Sequence, residues 1–182
     1  MKTKVIIIFL LFVLHLSAQE ESFKYRVTDT DGVSNIIFAS QKISVGAEDN
    51  VNLKNNYFAG EEIWGRAYFT QKYGNYNTDG KDSFFLELFI DGHLIQRVTQ
   101  EHPESEWGQM QVWIAGTGND YFSGYSVAIE NSVAGEHEVT IRISIKKYTG
   151  TNDVLFSDGV VEKQLLYRNI LLSKGSFKVI IT

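Results

Sequence analysis

The chain has 182 residues, 17 basic against 22 acidic, with no cysteine and a single proline. These figures exclude disulfides, thiolate metal sites and cysteine nucleophiles, so stability rests on packing alone. The acidic balance argues against nucleic acid or an anionic membrane as partner, because both reward a basic surface.

The first 18 residues run from the basic Met1-Lys2-Thr3-Lys4 through the apolar Val5 to Leu14 to the small pair Ser17-Ala18. This is the order of a secretory signal, predicting a cut after Ala18. The apolar run is shorter than the roughly 20 residues that span a bilayer. Residues 19–182 are then expected to form one domain of a secreted or periplasmic protein. Without Lys2 and Lys4 its balance is 15 basic against 22 acidic, a net charge of −7. No later apolar run reaches membrane-spanning length, and no N-x-Ser/Thr acceptor occurs, which favours bacterial export.

Aromatic and β-branched residues recur at every second position. Strands are predicted at 35–40, 62–70, 84–90, 94–98, 110–115, 126–130, 139–145 and 176–181. Asp91-Gly92 between two apolar runs is a two-residue hairpin signal, since both residues tolerate positive φ in a type I′ turn. Pairing Ile90 with His93 sets Phe89 opposite Leu94 and Leu88 opposite Ile95. Both faces near the turn are then partly apolar, which predicts a hairpin inside a sheet. Val139, Ile141, Ile143 and Ile145 alternate with polar residues, so one face is predicted to be core and the other wet. Polar, turn-rich pieces at 46–50, 74–82, 116–120 and 149–153 separate the strands. Val161, Leu165, Leu166 and Ile170 fit a short helix face over 160–172 better than a strand, but only over two turns, which leaves both open. The expected fold class is all-β, an antiparallel β-sandwich, with one short helix near the C-terminus as an open alternative.

Phe58-Ala59-Gly60-Glu61-Glu62-Ile63-Trp64-Gly65-Arg66 resembles the turn-into-strand step of many immunoglobulin-like sandwiches, including arrestin-like and macroglobulin-like domains. Gly135-Glu136-His137-Glu138-Val139 is similar to the corner before a late strand in that architecture. The two resemblances cover about 15 residues. They imply that the antiparallel β-sandwich is immunoglobulin-like and carry no catalytic residue, and fold alone supplies no function.

One stretch has the character of a ligand loop. Asn75, Asn77 and Asp79 alternate before Gly80, with Asp82 following, as in calcium loops of the D-x-[DN]-x-[DN]-G type. The loop departs from that pattern at its first position, an uncharged Asn, and at its twelfth, where Leu86 replaces a glutamate. A polar inter-strand loop of turn formers is the competing reading. His93, His102 and His137 lie in turns or loops without the paired spacing of a zinc site. Glu101, Glu104 and Glu106 would make a hydrolase only by folding together. Aromatic rings on loops can stack on sugars. Tyr73, Tyr76, Trp107, Tyr121 and Tyr125 are the candidates for ligand contact, whereas Trp64, Trp113 and Phe122 are expected in the core. The sequence thus points to a binding protein without chemistry of its own, and with no cofactor unless that loop takes calcium. Its partner is an envelope or extracellular protein, or, as the alternative, a glycan bound by a carbohydrate-binding module.

Overall fold

The computed structural model describes residues 24–76, 83–100, 107–118, 122–157 and 160–182. Its strands are β1 (Ser34–Ala39), β2 (Asn56–Phe58), β3 (Ile63–Tyr68), β4 (Ser83–Ile90), β5 (His93–Gln100), β6 (Gln109–Ala115), β7 (Gly135–Leu155) and β8 (Val161–Ile181). One helix, α1 (Ser123–Glu130), lies between β6 and β7. The strands form one curled mixed sheet in the order β5-β4-β7-β8-β1-β3-β6, with β2 also against β8. Neighbours are antiparallel except β1 and β2, which run parallel to β8.

The core follows from side-chain alternation. Phe84, Leu86, Leu88 and Ile90 of β4 stand opposite Ile145, Ile143, Ile141 and Val139 of β7, all buried. Phe177 of β8 wedges its ring edge-on between Phe38, at 4.8 Å, and Tyr57, at 5.3 Å. Gly175 permits this approach, because a β-carbon there would sit 2.7 Å from Ile36 Cβ and 2.8 Å from its carbonyl oxygen. β5 and β6 are the two ends of the strand path. α1 packs against both and buries Phe122, Tyr125 and Ile129, so it fills the mouth that the curled sheet leaves open. Its Gly124 N–H donates to Gln96 Oε1 at 2.8 Å.

Two turns show how local chemistry fixes the frame. Asp91 (φ 49°) and Gly92 (φ 80°) form the expected two-residue turn, with Ile90 paired to His93 and Phe89 to Leu94. Leu88, however, faces Gln96, because a bulge at Ile95 shifts the register. The turn is tied to β7 by His137. Its Nδ1 lies 2.7 Å from Asp91 Oδ2 and its Nε2 lies 2.9 Å from the Val133 carbonyl. Both partners can accept, so the protonated imidazole can donate to both at once. The second turn precedes β3, where Gly60 (φ 88°) makes the bend. The Glu61 carboxylate accepts the Phe58 N–H and the Lys54 ammonium, each at 2.9 Å.

Three expectations are corrected and one open alternative is decided. Residues 126–130 are helical: Phe122, Tyr125 and Ile129 sit at helical spacing, and burial of that stripe between β5 and β6 outweighs the alternation. Residues 160–172 belong to β8 and not to a helix, because β7 offers an unbroken partner. For the same reason 149–153 is strand and not turn. The β4–β5 hairpin is internal only at β4; β5 is a sheet end, against which α1 packs while Leu94 and Ile95 stay exposed.

Ile143→Ala should lower stability by about 2–5 kcal/mol in urea titration, through lost burial and a residual cavity. Gly175→Ala should cost about 1–3 kcal/mol by forcing Ile36 and Phe38 apart. Wild-type stability in the Gly175 variant would refute the close approach. The His137–Asp91 clamp also makes stability depend on pH. The partners of His137 raise its folded-state pKa above the ordinary 6.5, Asp91 being the main cause. Its contribution is complete at pH values below the unfolded pKa and is lost as pH rises through the raised folded value. Asp91 is shifted down, chiefly by His137, so its contribution is lost as pH falls through that lowered value. Melting temperatures across a pH series should therefore decline on the alkaline side, and His137→Gln should flatten that decline; an unchanged slope would remove the clamp.

Candidate functional site

β7 and β8 run well past the body of the sheet. β4 accompanies β7 only up to the Ser83–Lys146 pair, and β1 meets β8 at Ser173 and Lys174. Among the described residues, 147–155 and 161–168 pair only with each other, as a two-stranded ribbon. At about 3.3 Å per residue the stretch from Tyr148 to Leu155 projects on the order of 25 Å.

The ribbon register decides which side chains share a face. Tyr148 stands opposite Tyr167, Gly150 opposite Leu166, Thr151 opposite Leu165, Asp153 opposite Lys163 and Leu155 opposite Val161. A bulge between Tyr148 and Gly150 keeps the faces in phase, and Gly150 takes φ 142° there. One face thus gathers Tyr148, Tyr167, Leu165, Leu155 and Val161, with Thr151, Asp153 and Lys163 among them. Leu155 is 70% exposed, Val161 59% and Leu165 54%, well beyond what apolar residues of a β-strand normally show water. Lys146 Nζ lies 4.4 Å from the centre of the Tyr167 ring, which stands edge-on to Tyr148 at 5.9 Å. Phe156 and Val160, also exposed, flank the tip, where the Phe156 N–H donates to the Val160 carbonyl at 2.9 Å.

The same face continues onto the sheet. There Arg142 lies 4.4 Å from the centre of the Phe89 ring, and Arg97 lies 5.4 Å from that of Phe85 while its Nε donates to Glu87 at 2.9 Å. The surface therefore mixes rings, aliphatic side chains and cations, a combination suited to contact with another macromolecule.

The sequence-predicted contact residues do not meet in one place. Tyr73 and Tyr125 are buried in the core, Tyr73 edge-on to Phe84 at 5.5 Å, so neither ring offers a face to a sugar. Burial also pushes the Tyr125 hydroxyl pKa far above its usual value. Trp107 is half-buried against the core, and its carbonyl accepts the Tyr73 N–H at 2.7 Å. Tyr76 is partly buried, with its hydroxyl 2.6 Å from Thr70 Oγ1. Tyr121 lies outside the described residues, as do Asn77, Asp79 and Asp82 of the candidate calcium loop and Glu101, Glu104 and Glu106. Asn75 ends a 3₁₀ turn, Tyr73–Asn75, with its side chain exposed.

Phe122 is in the core as expected, but Trp64 and Trp113 are not. They are opposite each other on β3 and β6, half-buried on the sheet's outer face, with rings parallel to within 2° and 5.1 Å apart. Trp64 Nε1 donates to Glu62 at 2.8 Å and Trp113 Nε1 to the Ala115 carbonyl at 3.0 Å. Beneath them Arg66 is buried, donating from Nε to the Ile43 carbonyl at 3.1 Å and from a terminal nitrogen to Gln111 at 2.9 Å. Desolvation lowers the Arg66 pKa, against the pull of nearby Glu48.

The ribbon was the residue set that sequence reasoning missed. Its signal is a second Asp-Gly pair, Asp158-Gly159, between Val154-Leu155-Phe156 and Val160-Val161, the pattern read correctly at Asp91-Gly92. In comparisons with known proteins, no family model, no curated protein and no solved structure matches this chain.

Proposed function

We propose that the chain is an exported binding module of immunoglobulin-like topology whose contact surface is the β7–β8 ribbon, and whose partner is a protein of the bacterial envelope or exterior. The strand order supports the fold. β5-β4-β7-β8 corresponds to the C′-C-F-G side of that architecture and β1-β3-β6 to its A-B-E side. β1 lies between β3 and β8, and β2 also runs along β8; these parallel contacts with β8 account for the mixed sheet.

The observation that carries the function is the exposed apolar face of the ribbon. A two-stranded hairpin alone is marginal in water. Apolar clusters of this kind on a folded protein mark places where another molecule binds. The core does not need the ribbon's outer half, so sequence of this character at the tip serves contact. A second reading is favoured by the Trp64–Trp113 stack: a half-exposed pair of parallel indoles is a platform for a sugar face, which would make the protein a carbohydrate-binding module.

Val161→Asp combined with Leu165→Asp should leave the thermal transition of the body within a few degrees of wild type, and should abolish recovery of the protein partner from envelope extract. Undiminished recovery would move the contact surface elsewhere. A glycan array probed with wild type and with Trp64→Ala tests the second reading. Glycan binding lost in that variant would displace the protein-contact reading in its favour.

A further inference from the structure

The ribbon has one edge built for strand addition. From Val161 to Asn169 every residue of β8 is exposed, and the run contains no proline, glycine or bulge. The β7 edge differs, since the bulge and Gly150 interrupt it. Natural sheets usually blunt a long, regular edge, because its unpaired N–H and C=O groups recruit another strand; here Glu162, Lys163 and Arg168 stand among Val161, Leu165, Leu166 and Tyr167, so any added strand must match those charges.

We propose that this edge is occupied by the same edge of a second copy of the chain, in an antiparallel pair centred on Leu165, joining two ribbons into one four-stranded sheet. A two-fold axis perpendicular to the sheet makes the interface isologous, each residue meeting its counterpart across the axis. Such an axis keeps each side chain on its own face, so even-numbered residues can meet only even-numbered ones. Leu165 is the midpoint of the exposed run, and centring there pairs Val161 with Asn169 and leaves no overhang.

The same register sets Glu162 opposite Arg168 at both ends of the interface, and Lys163 opposite the ring of Tyr167. Opposite charges directly across an antiparallel pair are stabilising and like charges destabilising. Sliding the pair to either neighbouring allowed register sets Glu162 against Leu166 or Ile170 and loses both charge pairs. The edge thus carries its own register code, and only a second copy supplies its complement. This inference rests on the ribbon's being the contact surface, but it can fail separately: a monomer that still loses its envelope partner on ribbon mutation overturns the pairing and leaves that reading intact.

Charge swaps at the two positions, followed by sedimentation of the purified chain over a concentration series, test the pairing. Wild type should show a monomer–dimer equilibrium. Glu162→Arg and Arg168→Glu should each weaken the dimer by about tenfold or more, and the double swap should restore it. Because the chain has no cysteine, Leu165→Cys gives a second, independent readout. On the axis, the two α-carbons would be about 4.5–5.5 Å apart, within disulfide range. Mild oxidation should therefore crosslink Leu165→Cys and not Asn152→Cys, which lies on the other strand. A wild-type chain that stays monomeric with Leu165→Cys uncrosslinked, or a dimer indifferent to both single swaps, would overturn the proposal.

Discussion

The fold hangs on the pairing of β7 with β8. Without disulfides, cohesion comes from apolar side chains packed on a continuous ladder, and this ladder runs from Gly135–Ile181 at one end to Leu155–Val161 at the other. On one flank β7 carries the β4–β5 hairpin; on the other β8 carries β1 and β2 and, through β1, the strands β3 and β6. The buried stripe Val139-Ile141-Ile143-Ile145 therefore sits at the centre of the strand path and of the core together. Loosening that stripe would free both halves of the sheet from each other.

The two long strands serve different ends along their length. In the body their core face is covered by β1, β2 and β3 residues, with Gly175 letting Ile36 and Phe38 approach the β8 backbone. Past Lys146 and Ser173 no neighbouring strand follows among the described residues, and the same ladder continues with apolar residues in water. Exposure of this kind weakens solubility and invites association. Its persistence on a regular β8 edge is the physical basis for assigning contact to the ribbon.

Polar groups set the geometry around this frame. His137 ties the β4–β5 turn to β7 through Asp91, Glu61 holds the bend before β3, and buried Arg66 anchors the segment after β1 through the Ile43 carbonyl. Each sits where a turn or loop meets a strand, the places where backbone donors and acceptors lose ladder partners and side chains must replace them. Arg66 is the most demanding, since a buried guanidinium is tolerated only when its donors are taken up.

Much of the fold was legible in local pattern. The β-rich class, the alternating core face of β7 and the Asp91-Gly92 turn depend on residues close together in the chain, where side-chain period and positive φ act directly. The α1 helix and the β8 ribbon were not legible, because short apolar runs fit either period and the deciding term is the surface they meet. Phe122, Tyr125 and Ile129 become a helix face only because the curled sheet leaves a gap between β5 and β6. Tyr73 and Tyr125 resemble ligand rings in the sequence and are core residues in the fold, since a loop's position, not its composition, decides its burial. The contact surface likewise arose from where β4 and β1 end. The sequence by itself determined which residues prefer extended backbone and where the chain turns; only the tertiary structure decided which apolar residues are covered, because burial depends on neighbours distant in the chain.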